Sequence, residues 1–137
     1  MKKVSIFITH AWRFHNDWNL LTSMMENIKE TPWINYSVPW YDPAISTHTE
    51  TGKLALKNML FTQILPAEAV VFLEEPYQSK SSREWIDYEI EQARKLGKKI
   101  IALPDSQTLS YQGLLDGSDV FPMVWDLNQI RQEIQKV

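Results

Sequence analysis

The residues best placed to do chemistry lie in the stretch Ser79-Lys80-Ser81-Ser82-Arg83-Glu84-Trp85-Ile86-Asp87-Tyr88-Glu89-Ile90. Ser81 with Glu84 three residues on has the spacing of a capping box, which predicts a helix start there. Gly97 supplies the C′ glycine that ends it, followed directly by Lys98 and Lys99. Ile86, Ile90, Ala93 and Gly97 fall on one stripe, the expected buried face. Trp85 and Glu89, also four apart, fall on the stripe beside it, at the margin of that face. Asp87, Glu91 and Lys95 point to solvent. Glu89 is therefore expected to be a carboxylate beside an indole at the edge of a core. Low-polarity surroundings there strengthen its attraction for a developing positive charge. The plainer reading of Glu89 is a solvated or ion-paired helix carboxylate. For Trp85 it is a packing residue that shapes a pocket wall.

Other chemistries have little to stand on. The chain of 137 residues holds no cysteine, which removes disulfides, thiolate metal sites and cysteine nucleophiles together. His10, His15 and His48 lack metal-ligand spacing, and no Ser-His-Asp set follows from residue order. Thr9-His10-Ala11 carries no glycine, so a dinucleotide fingerprint after the first strand is missing, as is a phosphate loop with its Lys-Ser/Thr. A receiver domain needs an acidic cluster at the end of that strand, and Glu74-Glu75 supplies only part of one. A net charge of −3 without a basic block argues against a nucleic-acid footprint. No apolar run reaches membrane-span length, and no signal-peptide hydrophobic region opens the chain. A single cytoplasmic domain over residues 1–137 is the expectation.

The elements that must position these residues alternate between strand and helix. Val4 to Thr9 is a short apolar run suited to one strand. Phe14, Trp18, Leu21, Met25 and Ile28 recur at helical spacing until Pro32. Trp33 to Trp40 is a weak strand interrupted by Pro39, leading into Tyr41-Asp42-Pro43. A helix is expected from about Thr49 to Ile64, with Leu56, Leu60 and Ile64 on one stripe. Ala69 to Leu73 and Lys99 to Leu103 are the strongest strands. A short helix near Tyr111 to Leu115, a fifth strand over Phe121 to Trp125 and a last helix from Leu127 to Val137 complete the pattern. Continuous apolar strands point to a parallel sheet covered on both faces, hence a small doubly wound α/β domain.

Ligands of such sheets bind outside the carboxyl ends of the strands. That rule selects Thr9-His10-Ala11-Trp12, Pro39 to Ser46, the loop Glu74 to Ser82, and Pro104-Asp105, with Glu89 able to face the same rim. His10 reads equally as a core-edge histidine, Trp12 as a core residue and Asp42, before Pro43, as a turn residue. Tyr36, Trp40 and Asp42 sit on the loop after the second strand, at the same rim.

Three motifs in order give a resemblance to a known family. Lys3-Val-Ser-Ile-Phe-Ile-Thr-His-Ala-Trp12 resembles the "vFISHsw" opening of TIR-like domains, with Thr9 in place of the commoner Ser. Trp85-Ile-Asp-Tyr-Glu89-Ile90, then Ala93 and Gly97-Lys-Lys-Ile-Ile101, is similar to the family's Trp-x-x-x-Glu helix and next strand. Asn35-Tyr-Ser-Val-Pro39 with Asp42-Pro43 is similar to the bacterial and archaeal branch of the antiphage Thoeris systems. The resemblance spans roughly residues 3–104 and leaves the C-terminal third without a signature.

The resemblance implies a flavodoxin-like fold of five parallel strands in the order 2-1-3-4-5. It also implies cleavage of the nicotinamide–ribose bond of NAD+, with Glu89 as the essential residue. Thr9, His10, Ala11, Trp12, Tyr36, Asp42 and Trp85 are the candidate substrate-binding residues. Such cleavage passes through an oxocarbenium-like state that a carboxylate stabilises. Nicotinamide leaves from a cationic ring, so no general acid and no metal are expected. In Thoeris relatives the product is a signalling nucleotide read by a separate effector protein. The implied partners are NAD+, further copies of the chain through TIR–TIR contacts, that effector and a phage-derived trigger. Neither nucleic acid nor membrane is expected. Two other readings stand beside this one: a non-catalytic TIR-like adaptor, and an enzyme like the nucleoside deoxyribosyltransferases, which also sets a Glu against an N-glycosidic bond.

Overall fold

In a computed structural model of the chain, residues 3–10, 16–27, 32–37 and 49–136 are described. The elements run β1 (Val4–Ile8), α1 (Asn16–Glu26), β2 (Trp33–Asn35), α2 (Glu50–Ile64), β3 (Ala69–Leu73), α3 (Glu74–Tyr77), α4 (Lys80–Lys95), β4 (Lys99–Leu103), β5 (Val120–Pro122) and α5 (Leu127–Gln135). The strands form one sheet in the order β2-β1-β3-β4-β5, and every pairing is parallel. This is the expected flavodoxin-like α/β arrangement.

The strand sequences dictate two cores. Successive side chains of a strand point to opposite faces, so an unbroken apolar run feeds both. Phe7, Val70, Phe72, Ile100 and Ala102 pack on one face with Leu56, Leu60 and Ile64 of α2 and Trp85, Ile86, Ile90 and Ala93 of α4. Ile6, Ile8, Val71, Leu73, Ile101 and Leu103 pack on the other with Trp18, Leu21 and Met25 of α1 and Leu127 and Ile130 of α5. All five residues of β1 and of β3 are buried.

The chain leaves β1 outward to β2 and then returns across it to β3. The direction of strand order therefore reverses between β1 and β3, and ligands of such sheets bind outside the carboxyl ends at a switch point of this kind. Thr9 and His10 follow β1 directly at that switch point.

α4 forms by a different start from the expected one. It begins at Lys80 with Ser79 as N-cap, whose side chain makes no capping hydrogen bond. The Ser79 and Ser81 hydroxyls bond each other at 3.0 Å, while Glu84 faces Lys53 at 3.9 Å. A side-chain cap contributes about 1 kcal/mol. Burying one side chain such as Ile86 contributes about 1.5–3 kcal/mol, so the buried face fixes the helix without the box. The far end is as expected: Gly97 takes φ +67°. The Lys98 N–H bonds Ala93 O at 2.9 Å and the Gly97 N–H bonds Arg94 O at 3.1 Å, closing a Schellman motif.

Other boundaries move for local reasons. Glu74 to Tyr77, expected as loop, form the short α3, with Pro76 inside the first turn where its missing N–H costs nothing. The expected helix at Tyr111 to Leu115 does not form. There Glu74 takes the Gln112 and Leu114 amides that a helical turn would have used. β5 is Val120–Pro122 rather than Phe121 to Trp125, and its last residue is a proline, which cannot donate to a ladder. Of the expected first-helix stripe, Trp18, Leu21 and Met25 are buried; Phe14 and Ile28 lie outside the described residues, as does Trp40.

Candidate functional site

The switch point is built first from the end of β1. Thr9 donates its N–H to Val71 O at 3.0 Å, and its Oγ1 accepts the Leu73 N–H at 3.2 Å. Thr9 is wholly buried. Its hydroxyl thus completes the β1–β3 pairing where the ladder runs out, work that the commoner serine could also do. His10, also without exposed surface, sets its ring 5.3 Å from that of Phe7, tilted by 43°.

α4 brings Glu89 to this point. Its Oε1 accepts the His10 backbone N–H at 3.3 Å in a buried setting. Ser82, Trp85, Ile86, Glu89, Ile90 and Ala93 all lie on the buried face, so Trp85 and Glu89 are not marginal. Glu89 has no exposed surface and Trp85 is 8% exposed. The reason is geometric: α4 packs over β3 and β4 with α2 and α3 against it, so the covered arc is wider than one stripe. Asp87, Glu91 and Lys95 are exposed, as expected.

Tyr36 follows β2, donates its N–H to Ile6 O at 2.9 Å and packs against the Phe7–Trp85 cluster. So Thr9 and His10 follow the end of β1, Tyr36 follows β2 beside it, and α4 brings Glu89 to the His10 amide with Trp85 one turn away. Ala11, Trp12 and Asp42, the other candidate binding residues, lie outside the described residues.

A second group of acids on the rim has structural work. The Glu74 carboxylate is fully buried; it accepts the Gln112 N–H at 2.8 and 3.1 Å and the Leu114 N–H at 3.1 Å. Asp17 is 2% exposed; it accepts the Ser106 N–H at 2.9 Å and the Ser106 hydroxyl. Glu75 accepts the Asp17 N–H at 3.0 Å. Burial pushes the Glu75 carboxyl above the usual range; the Asp17 N–H opposes this, and the negative charges of Asp17 and Asp105 add to it. Together these acids tie the segment after β4 to the ends of β3 and α1. Sequence reasoning saw Glu74-Glu75 only as a fragment of a receiver cluster and gave Asp17 no role. Its signal was an acid at the start of an amphipathic helix, which is common for dipole reasons alone.

Tyr77, expected as an exposed loop residue, instead ends α3 half-buried; it donates its hydroxyl to Asp87 at 2.5 Å and meets Phe72 edge-on at 5.1 Å. Its hydroxyl is pushed up to about 12, by burial first and then by the Asp87 carboxylate. Among the described residues, no helix is long and apolar enough to cross a membrane.

A family model described as Thoeris protein ThsB, TIR-like domain, matches residues 7–108, from β1 through the turn after β4. The match contains Thr9, His10, Tyr36, Trp85 and Glu89, and the chain belongs to that family. No curated protein matches the chain.

Proposed function

We propose that this Thoeris-family TIR-like protein cleaves the nicotinamide–ribose bond of NAD+ and yields an ADP-ribose-derived signalling nucleotide, linear or cyclic, in antiphage defence. The observation that carries the reading is the placement of Glu89: a fully buried carboxylate beside Trp85, at the strand ends where the sheet reverses.

In this reading the C1′–N bond breaks and its electron pair neutralises the pyridinium ring, releasing nicotinamide. The ribose C1′ then carries oxocarbenium character, which the Glu89 carboxylate stabilises by charge and by gripping ribose hydroxyls. The apolar wall around Trp85 and Phe7 keeps that attraction unscreened. Water captures C1′ with loss of a proton to give ADP-ribose; a ring nitrogen of the adenine in the same molecule gives a cyclic product instead. Thr9, His10, Ala11, Trp12, Tyr36, Asp42 and Trp85 are the residues proposed to shape the substrate's bed. A separate effector would receive the product, and a phage-derived trigger and TIR–TIR assembly would control the reaction.

One observation favours a second reading. Glu89 accepts a backbone N–H from the end of β1, which is also what a structural tie in a non-catalytic adaptor would do. Nicotinamide release by purified protein at high concentration, alongside Glu89→Gln, separates the two. Loss of release by at least about 100-fold in a folded variant supports the enzyme. Equal release by both proteins removes Glu89 from the chemistry, and no release by wild type together with its trigger favours the adaptor.

A further inference from the structure

Ser82 is wholly buried in the first turn of α4, and its hydroxyl finds no hydrogen-bond partner among the described residues. Buried hydroxyls are rarely left so, because the lost hydration is then offset by nothing. Ser82 shares the buried face with Trp85 and Glu89, three and seven residues on. Seven residues bring a helix back to within about 20° of the same direction and advance it by about 10 Å. The hydroxyl is thus two turns from the Glu89 carboxylate, towards the helix start. At that start the N-cap Ser79 side chain makes no capping hydrogen bond to the helix amides; its hydroxyl lies 3.0 Å from that of Ser81. A helix start of this kind presents positive potential to an anion.

We infer that Ser82 and the first turn of α4 bind the diphosphate-bearing half of a dinucleotide whose nicotinamide ribose lies against Glu89. This rests on the NAD-cleaving reading of Glu89. The Ser82 hydroxyl donates to a phosphate oxygen, and the helix start supplies the favourable potential. The separation along α4 places this contact beyond the ribose that Glu89 grips, so a nucleoside without phosphates cannot make it. The site therefore selects dinucleotide over nucleoside. Because Ser82 has no exposed surface, contact requires the first turn to shift. An uncapped first turn is the part of a helix that opens with least loss.

The test compares kcat/KM for NAD+ and for nicotinamide riboside in wild type, Ser82→Ala and the near-isosteric Ser82→Cys, with Tm measured on each. Loss of one charge-assisted hydrogen bond predicts that the NAD+ over riboside preference falls about tenfold in both variants, through KM for NAD+. Tm should hold or rise in Ser82→Ala, since an unpaired buried hydroxyl is removed. An unchanged preference, or equal losses on both substrates, overturns the inference while leaving the NAD-cleaving reading intact. If wild type together with its trigger cleaves neither substrate, that reading fails instead. The inference is then judged by the Tm shift on adding NAD+: a shift in wild type that shrinks in Ser82→Ala sustains it, and no shift in wild type overturns it.

Discussion

The Glu89 carboxylate accepts the backbone N–H of His10 across 79 residues of chain, at 3.3 Å and with both residues wholly buried. This bond joins α4 to the end of β1, so substitutions at Glu89 test stability and chemistry separately. Glu89→Gln keeps an acceptor for the amide and should leave Tm within a few degrees of wild type. Glu89→Ala leaves the amide unpaired and opens a void. It should destabilise by about 1–3 kcal/mol, read by urea unfolding.

Thr9 offers a matched pair of variants. Thr9→Val keeps the shape but removes the acceptor for the buried Leu73 N–H. It should cost about 1–3 kcal/mol, and hydrogen exchange at Leu73 should quicken. Thr9→Ser keeps the hydroxyl and should cost less than Thr9→Val.

Leu109 adopts φ 55° while 67% exposed, in the segment after β4. Left-handed backbone costs a residue with a branched side chain about 1–2 kcal/mol, and exposure means little packing is lost on replacement. Leu109→Asn should therefore raise stability by up to about 1 kcal/mol, measured by thermal unfolding. A lower Tm would show that the leucine packs more than its exposure implies.

Glu75 gives stability a pH dependence of definite sign. Its folded-state carboxyl is raised by burial and by neighbouring negative charge, so between the ordinary value of 4.5 and the raised one the folded chain binds more protons. Its contribution to stability then falls as pH rises through that window. Glu75→Gln keeps an acceptor for the Asp17 N–H and should raise Tm at pH 7, with the gain shrinking as pH falls towards 4.5.

The Glu74 brace makes a local prediction. Glu74→Ala removes the acceptor for the Gln112 and Leu114 amides. Exchange protection at these two positions should fall, and the segment after β4 should become the first site of proteolytic nicking, with the sheet strands still protected.

By itself the sequence determined the sheet and the Glu89 helix. The mainly apolar, non-alternating runs Val4–Ile8, Ala69–Leu73 and Ile100–Leu103 need cover on both faces, and that points to a parallel sheet between helices. Gly97 and the 3.6-residue stripe fixed where α4 ends and which way it faces. Those are local properties, carried by periodicity and by one residue's backbone freedom. Tertiary structure decided what periodicity cannot encode. The depth of Glu89 depends on how much of α4 the sheet and α2 jointly cover, which no single stripe reveals. The partners of Asp17 and Glu74 lie 89 and 38 residues away, in a segment whose own sequence suggested a helix at 111–115. The unpaired Ser82 hydroxyl is visible only once its surroundings are assembled, because a serine in a first helical turn is ordinarily read as a cap. Hydrogen bonds over such separations follow from chain topology, and topology places residues that no local pattern relates.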